Sequence, residues 1–271
     1  MTIALRGASA DALAELSSEL ESKLGGGADA SRIGDDLFRV STLLRTEPGL
    51  RRVATDVSVD SAAKASLVTE IFGGKVDPVS LEILVSAVGR RWTVSRNLGD
   101  VLEHLSEVAI VRSAGGDSGR LADELHSYAQ TVNDNAALRD ALSDPARSVD
   151  DKAALVRGLL DGKALPATVT LAQQALAGTY RTVAVALATY QQVAAQVHGQ
   201  GVATVRVAHP LGDAERQRLG DALARQYDRP IHLNVVVDPD VIGGIRVEVG
   251  DDVIDGTVAT RIDEARRKLA G

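Results

Sequence analysis

The fold of this 271-residue chain is most clearly indicated by residues 234–256, NVVVDPDVIGGIRVEVGDDVIDG. Val235–Val237 is a β-branched run that predicts a strand, and the Asp238-Pro239 pair that follows it predicts a turn. Ile245, Val247 and Val249 alternate with Arg246, Glu248 and Gly250, which is the period of a half-buried strand. Beyond Asp255-Gly256-Thr257, which offers an N-cap, the sequence predicts a last helix with an apolar stripe of Val258, Ile262, Ala265 and Leu269.

The composition predicts closely packed helices and excludes several functional classes. Hydrophobic residues make up 45% of the chain but aromatic residues only 3%, so the core must be filled mainly by Ala, Leu and Val. The formal net charge of −7 argues against nucleic acid as the main partner. The longest charge-free run, residues 182–205, contains glutamines and glycines and is too polar to cross a bilayer. We therefore expect no direct membrane insertion.

An internal repeat occupies the middle of the chain. A shift of 88 positions pairs Leu50 with Leu138 and Pro78 with Pro166, and it gives 11 identities over 38 positions. Two copies at this spacing predict duplicated domains rather than a solenoid. Apolar residues at helical spacing predict several helices in each copy.

The sequence therefore predicts a mainly α fold, with two duplicated helical bundle units followed by a small α/β C-terminal domain. Glycine-rich stretches at residues 25–27, 115–116 and 199–201 indicate the boundaries. The predicted divisions are an N-terminal helix (1–28), a first helical copy (29–114), a second helical copy (115–199) and the α/β domain (200–271).

The C-terminal stretch closely resembles the signature of the delta subunit family of F-type ATP synthases, whose mitochondrial counterpart is the oligomycin-sensitivity conferral protein. The residues that carry the resemblance are Asp238-Pro239, Ile242-Gly243-Gly244-Ile245, Gly250-Asp251 and Val253-Ile254-Asp255-Gly256. The second helical copy resembles the family's usual single bundle, and the extra copy is similar to the long actinobacterial form. In some of those relatives the delta part follows a membrane-anchored b subunit, which leaves open whether this chain is the delta part of a b-delta fusion.

The resemblance implies a non-catalytic peripheral-stalk, or stator, subunit of the proton-translocating ATP synthase. Its partners would be the alpha subunits of the catalytic head, with the beta subunits as a further contact, and the b subunit of the stalk. The implied location is peripheral, at the cytoplasmic face of the bacterial plasma membrane. Such a subunit would couple rotation to ATP synthesis.

The two helical copies differ in charge, which bears on partner binding. Residues 76–117 contain ten charged residues, whereas the equivalent residues 164–205 contain only Arg181. Either the second copy has an Ala-rich core helix pair, or another protein covers this face. The resemblance favours the second explanation, because a groove of the family's bundle holds an amphipathic N-terminal helix of an alpha subunit. The candidate groove residues are Leu121, Leu125, Tyr128, Leu187, Tyr190 and Ala194.

The sequence contains no recognisable reactive centre. There is no cysteine, the five histidines have no metal-ligand spacing, and Gly73-Gly74-Lys75 lacks the other residues of a phosphate-binding loop. We therefore predict no catalytic residue, bound metal or cofactor. The C-terminal motif is predicted to have a structural role in its turns: Asp238, Pro239, Gly243, Gly244, Gly250, Asp255 and Gly256.

The alternative is a small-ligand-binding protein or enzyme that uses a cleft beside Gly243-Gly244.

Overall fold

The computed structural model describes residues 5–197, 199, 201–238, 241, 243–249 and 252–258. The chain divides into two compact units, Met1–Ala194 and Ala195–Gly271. The first unit is helical and the second contains a small sheet, so the predicted mainly α fold is confirmed. Among the described residues, no helix combines the length and the apolar character that crossing a membrane requires.

Eleven α-helices lie between Leu5 and Val197 in the described part of the chain. They are α1 (Ala8–Gly25), α2 (Ala30–Thr46), α3 (Pro48–Thr55), α4 (Ser61–Phe72), α5 (Pro78–Gly89), α6 (Asn97–Ser113), α7 (Ser118–Asp134), α8 (Ala136–Ser143), α9 (Val149–Leu160), α10 (Pro166–Gln174) and α11 (Val183–Val197). Several begin where the sequence supplies a cap or a proline. Asp77 accepts a hydrogen bond from the Val79 amide at 2.9 Å, and Ser148 accepts one from the Asp151 amide at 3.1 Å.

The helix bounds repeat after the shift of 88 residues that the sequence indicates. Helices α2 and α7 begin and end at equivalent residues, since 30 + 88 = 118 and 46 + 88 = 134. The same holds for α3 and α8 and for α4 and α9, while α5 and α10 begin at equivalent prolines. These equivalences support an internal duplication.

Helix α6 belongs to both copies. The shift moves residues 8–25 of α1 to 96–113, where α6 lies, and it moves residues 97–113 of α6 to 185–201, where α11 begins at 183. Helix α6 packs against α1, α2 and α3 and also against α7 and α10. We call α1–α6 the first bundle and α6–α11 the second bundle. The sequence prediction assigned α6 to the first copy alone.

The second unit is a four-stranded sheet with one described helix. Its elements are β1 (Gly201–Val207), α12 (Asp213–Tyr227), β2 (Ile231–Val237), β3 (Ile245–Val249) and β4 (Asp252–Asp255). The strand order is β2-β1-β3-β4; β1 and β2 are parallel, and the other pairs are antiparallel. Helix α12 makes the crossover that a parallel pair needs. The core is formed by Ala203, Val205, Val207, Leu223, Val247 and Val249.

Two turns of the predicted C-terminal motif pack against each other. Gly244 has φ +84°, and a β-carbon there would lie 2.4 Å from the Gly256 carbonyl oxygen. The Val258 amide donates to the Gly243 carbonyl and the Gly256 amide donates to the Ile245 carbonyl, both at 2.9 Å. Glycine is therefore required at position 244 for its backbone conformation and for space.

Other parts of the motif follow the prediction only as far as the structure describes them. The Asp255 carboxylate accepts a hydrogen bond from the Thr257 amide at 3.0 Å. Asp238 follows β2 directly, and its amide donates to the Val207 carbonyl at 2.8 Å. Pro239, Gly250 and residues 259–271, which include most of the predicted last helix, lie outside the described residues.

Replacing Gly244 by Ala should lower the free energy of unfolding of the sheet unit by about 2 kcal/mol or more, because alanine strains a left-handed backbone and would meet Gly256. Gly158→Ala in α9 is the control. It has open space around its Cβ position, so it should be neutral or stabilise by up to about 1 kcal/mol. Chemical denaturation measures the free energy of unfolding of both variants. Hydrogen exchange of the strand amides reports on Gly244→Ala, and that of the α9 amides reports on Gly158→Ala. Equal effects would contradict the role given to Gly244.

Candidate functional site

The six residues predicted to contact a partner helix lie in the interior of the second bundle. Their relative exposures are 0% for Leu121, Leu125, Leu187 and Tyr190, 2% for Ala194 and 4% for Tyr128. The helical periodicity therefore identified the inward faces of α7 and α11. A role for these residues as partner contacts stays a prediction.

An open groove of about 660 Å³ lies on the surface of the second bundle, beside Tyr128. One wall is α7 from Arg120 to Thr131, and the other carries leucines of α8 and α9: Leu138, Leu155, Leu159 and Leu160. Leu159 is 39% exposed although it lines an apolar surface. Leu138, Leu155 and Leu160 are partly buried. Accessible leucines that line a groove between helices are typical of a surface that receives an amphipathic helix.

The Tyr128 hydroxyl is a polar group at this groove that has no partner within the described residues. The side chain is 4% exposed, and its buried oxygen makes no hydrogen bond. Burial raises the pKa of Tyr128 to about 12. Buried hydroxyls are normally hydrogen-bonded, so Tyr128 is an exception to that rule.

The first bundle carries a larger side chain at one position equivalent to the groove. Leu50 and Phe72 are the counterparts of Leu138 and Leu160, since 50 + 88 = 138 and 72 + 88 = 160. Phe72 is 9% exposed and lines a core cavity of about 20 Å³, whereas Leu160 lines the open groove.

Glu124 ties the groove-forming helix α7 to the start of α10. Its carboxylate accepts hydrogen bonds from the Leu165 amide at 2.8 Å and the Thr168 hydroxyl at 2.6 Å, and Arg120 Nε lies 2.7 Å from it. Burial acts to raise the pKa of Glu124, but the hydrogen bonds from Thr168, Leu165 and Arg120 outweigh it and the pKa is lowered.

The first bundle has the same connection, because Asp36 is the counterpart of Glu124 (36 + 88 = 124). The Asp36 carboxylate accepts a hydrogen bond from the Asp77 amide, which precedes α5, at 2.7 Å. Sequence reasoning missed both carboxylates. The available signal was an acidic residue on the otherwise apolar face of α2 and α7, repeated at the 88-residue shift.

A buried polar cluster joins α6 to the segment between α10 and α11. Glu103 and Glu107 on α6 have side chains that are 2% and 1% exposed. Glu103 accepts a hydrogen bond from the Thr179 amide at 2.9 Å, and Glu107 accepts one from the Tyr180 hydroxyl at 2.7 Å. Burial raises the pKa of Glu103 above its ordinary value, although Arg45 and the Thr179 amide act to lower it.

Packing inside the bundle helps to explain why residues 164–205 contain only one charged residue. The described part of α10 and α11 contributes many buried side chains, including Leu171, Ala172, Ala186, Leu187, Tyr190 and Val193. The Tyr180 and Tyr190 rings meet edge to face with centroids 5.8 Å apart. Of the two explanations that the sequence left open, core packing within the chain explains most of this stretch.

The alternative of a ligand cleft beside Gly243-Gly244 finds no support in the described residues. Backbone atoms of Gly256 and Thr257 occupy the space next to Gly244. A search of the described residues also finds no group of three or more His, Asp or Glu side chains arranged to hold a metal ion.

The helical architecture and the apolar groove are typical of a protein that docks helical partners. Comparison with known proteins then identifies the family. The family model for the ATP synthase delta (OSCP) subunit matches residues 107–269. The chain belongs to this family.

Close relatives extend the similarity over nearly the whole chain. ATP synthase subunit delta of Nocardioides sp. strain JS614 is 54% identical over 268 residues, covering 98% of each chain. The subunit of Kineococcus radiotolerans is 45% identical over 248 residues, covering 90% of each. That of Streptomyces coelicolor is 38% identical over 270 residues, covering 98% of each.

A solved structure is also similar, but more distantly. A chain of the cryo-EM structure of the Toxoplasma gondii mitochondrial ATP synthase hexamer matches 61% of this chain and 95% of its own length. The sequence identity is 20% and the TM-score is 0.36, which is too low for a detailed comparison.

Replacing Glu124 by Gln should lower the free energy of unfolding at about pH 7 by about 1–3 kcal/mol, because Leu165, Thr168 and Arg120 lose a charged acceptor. Since the folded-state pKa is lowered, this stabilisation is present above the unfolded pKa near 4.5 and is lost as the pH falls through the folded value. The variant should therefore approach the wild type at about pH 3. Urea denaturation at both pH values measures this.

The control is Glu70→Gln, at an exposed position of α4. It should change the free energy of unfolding by less than about 0.5 kcal/mol at either pH. A Glu124→Gln effect of the same size at both pH values would show that charge is not what the carboxylate contributes.

Proposed function

We propose that this protein is a non-catalytic stator subunit of the F-type proton-translocating ATP synthase. It links alpha subunits of the catalytic head to the b subunit of the peripheral stalk, so that rotation is coupled to ATP synthesis. The observation that carries the proposal is the similarity to delta subunits over 98% of the chain. We place the protein at the cytoplasmic face of the bacterial plasma membrane, as a peripheral component of the complex.

The task of a stator is mechanical. The central rotor would turn the head with it unless a second connection held the head to the membrane sector. Such a connection needs persistent binding and stiffness, not turnover. Two binding units on one chain raise the effective concentration of the second contact, so modest single-site affinities give a durable joint.

We assign the contact with the head to the groove of the second bundle, where an amphipathic N-terminal helix of an alpha subunit would dock. The α7 wall from Arg120 to Thr131 contains 12 residues and is about 16 Å long, which matches roughly three turns of a helix. Leu155 and Leu159 would pack against the apolar face of the incoming helix, beside Tyr128. Of the six residues predicted from the sequence, Tyr128 lines this groove and the other five lie in the interior.

We assign the contact with the b subunit to the sheet unit. Strand β4 lies at an edge of the described sheet and exposes two apolar side chains, Val253 at 53% and Ile254 at 36%. An apolar edge of this kind provides both side chains and backbone groups for a helical or extended partner.

Replacing Leu159 by Glu should weaken binding of a synthetic peptide with the alpha-subunit N-terminal sequence by about tenfold or more, because a charge would enter an apolar groove. Val149→Glu is the matched control: it lies on the same helix, is 46% exposed and does not line the groove. It should bind as the wild type does. Isothermal titration calorimetry with the full chain measures both affinities.

Tyr128→Phe is a second control, since it removes only a buried hydroxyl that a docked peptide does not reach. It should leave peptide affinity unchanged, with the free energy of unfolding equal to or slightly above that of the wild type. Unchanged affinity in the Leu159→Glu variant would show that the alpha subunit binds elsewhere. A charged residue at Ala194 is unsuitable for this purpose, because at 2% exposure it would disturb the core.

A further inference from the structure

We propose that Arg45 is a positioning residue that fixes the first bundle to the second, so that the helical unit carries load as one body. The mechanical consequence rests on the proposed stator function, whereas the fixation itself does not. We call the residues involved the Arg45 bridge: Arg45, Glu103, Ala177 and Thr179.

The bridge starts at the end of α2, in the first bundle. One nitrogen of the Arg45 guanidinium, Nη1, pairs with the Glu103 carboxylate on the shared helix α6. The other, Nη2, donates to the Ala177 carbonyl at 2.9 Å, in the segment that follows α10. A single side chain therefore connects α2 directly to backbone 132 positions further along the chain.

Glu103 completes the connection from the shared helix. It receives Arg45 from the first bundle and the Thr179 amide from the second, the latter at 2.9 Å. Position 178 between the two contacts is glycine, and a β-carbon there would lie 2.4 Å from Glu103 Oε1. The carboxylate is thus enclosed by both bundles at a place where another residue would displace it.

The equivalent position at the start of the chain is built differently. The shift of 88 makes Glu15 the counterpart of Glu103 and Arg90 the counterpart of Gly178, since 15 + 88 = 103 and 90 + 88 = 178. Glu15 pairs with Arg90 at the surface, where the side chains are 54% and 37% exposed. In the second bundle, glycine at 178 takes the place of Arg90, and Arg45 of the first bundle provides the cation that pairs with Glu103 instead.

The next repeat of the pattern also lacks the bridge. Asn133 is the counterpart of Arg45 and Gln191 is the counterpart of Glu103, since 45 + 88 = 133 and 103 + 88 = 191. Neither replacement is charged. The bridge is therefore not a requirement of the repeated fold but a feature of the junction between the bundles.

The chemistry of the bridge favours a rigid connection. The Glu103 side chain is 2% exposed and that of Arg45 is 23% exposed, so removing the arginine leaves a nearly buried charge without its cation. The planar guanidinium donates to the carboxylate and the Ala177 carbonyl at fixed angles. A lysine presents a point charge on a flexible stem and cannot reproduce both bonds in that geometry.

The experiment uses hydrogen exchange in the full chain, with Arg45→Met, Glu103→Gln and the double variant. Arg45→Met should speed the exchange of backbone amides in residues 175–182 by about a hundredfold, because a buried ion pair is broken. The double variant should speed exchange by less than the product of the two single-variant factors, since both residues act in one connection. Arg45→Lys should restore only part of the protection.

Arg112→Met is the matched control, because Arg112 on α6 also pairs with a glutamate of another helix, Glu21 at 2.8 Å, but at the surface. It should change exchange by less than about threefold. Unchanged amide exchange in Arg45→Met, or independent effects of the two substitutions in the double variant, would contradict the proposal that Arg45 fixes the first bundle to the second.

Reconstituted ATP synthase with the full-length variant then tests the mechanical consequence. Arg45→Met should assemble normally and keep ATP hydrolysis, but lower the ratio of protons pumped to ATP hydrolysed against a gradient. If Arg45→Met speeds amide exchange but leaves the ratio of protons pumped to ATP hydrolysed unchanged, Arg45 has no mechanical role. If the wild-type protein itself does not alter that ratio when added, the proposed function fails, while the exchange result still decides the fixation.

Discussion

The burial of α6 between two sets of helices is the constraint on which the helical unit depends. Twelve of its 17 residues are buried, including the polar residues Asn97, Glu103, Ser106 and Glu107. A helix covered on most sides must pack against several neighbours at once. Close approach of α2 makes this possible: a β-carbon at Gly34 would lie 2.5 Å from Ile110 Cδ1, and the Ser106 hydroxyl donates to the Gly34 carbonyl at 2.6 Å. Residues 1–194 therefore form one compact unit in which α6 contacts helices on both sides.

The buried polar groups of this unit act as connectors. Asp36 and Glu124 hold the starts of α5 and α10, and Glu103 and Glu107 hold the segment before α11. Each carboxylate is satisfied by backbone amides, hydroxyls or a guanidinium, which limits the cost of burying it. Such satisfied networks make a structure stiff, and stiffness is the property that a stator requires.

The sequence predicted the parts of the fold that local chemistry determines. Alternation in residues 245–250 and the turn residues around Gly244 specify strands and turns without distant contacts, and β3 covers residues 245–249 of that alternation. The docking groove was not predictable in this way. Helical periodicity shows which face of α7 points inward, but it cannot distinguish a core from a groove. The groove exists only where α7, α8 and α9 pack together, which no local pattern specifies. The packing of α6 against helices on both sides is likewise tertiary, so the local sequence does not indicate it.

The central claim is that this protein is a passive link whose removal uncouples the motor without stopping its chemistry. The most direct measurement is ATP-driven proton pumping by membranes stripped of the protein, with ATP hydrolysis by the head measured in parallel. The account predicts that hydrolysis continues, pumping is lost, and adding the purified protein restores it. Membranes that pump normally in its complete absence would contradict the account.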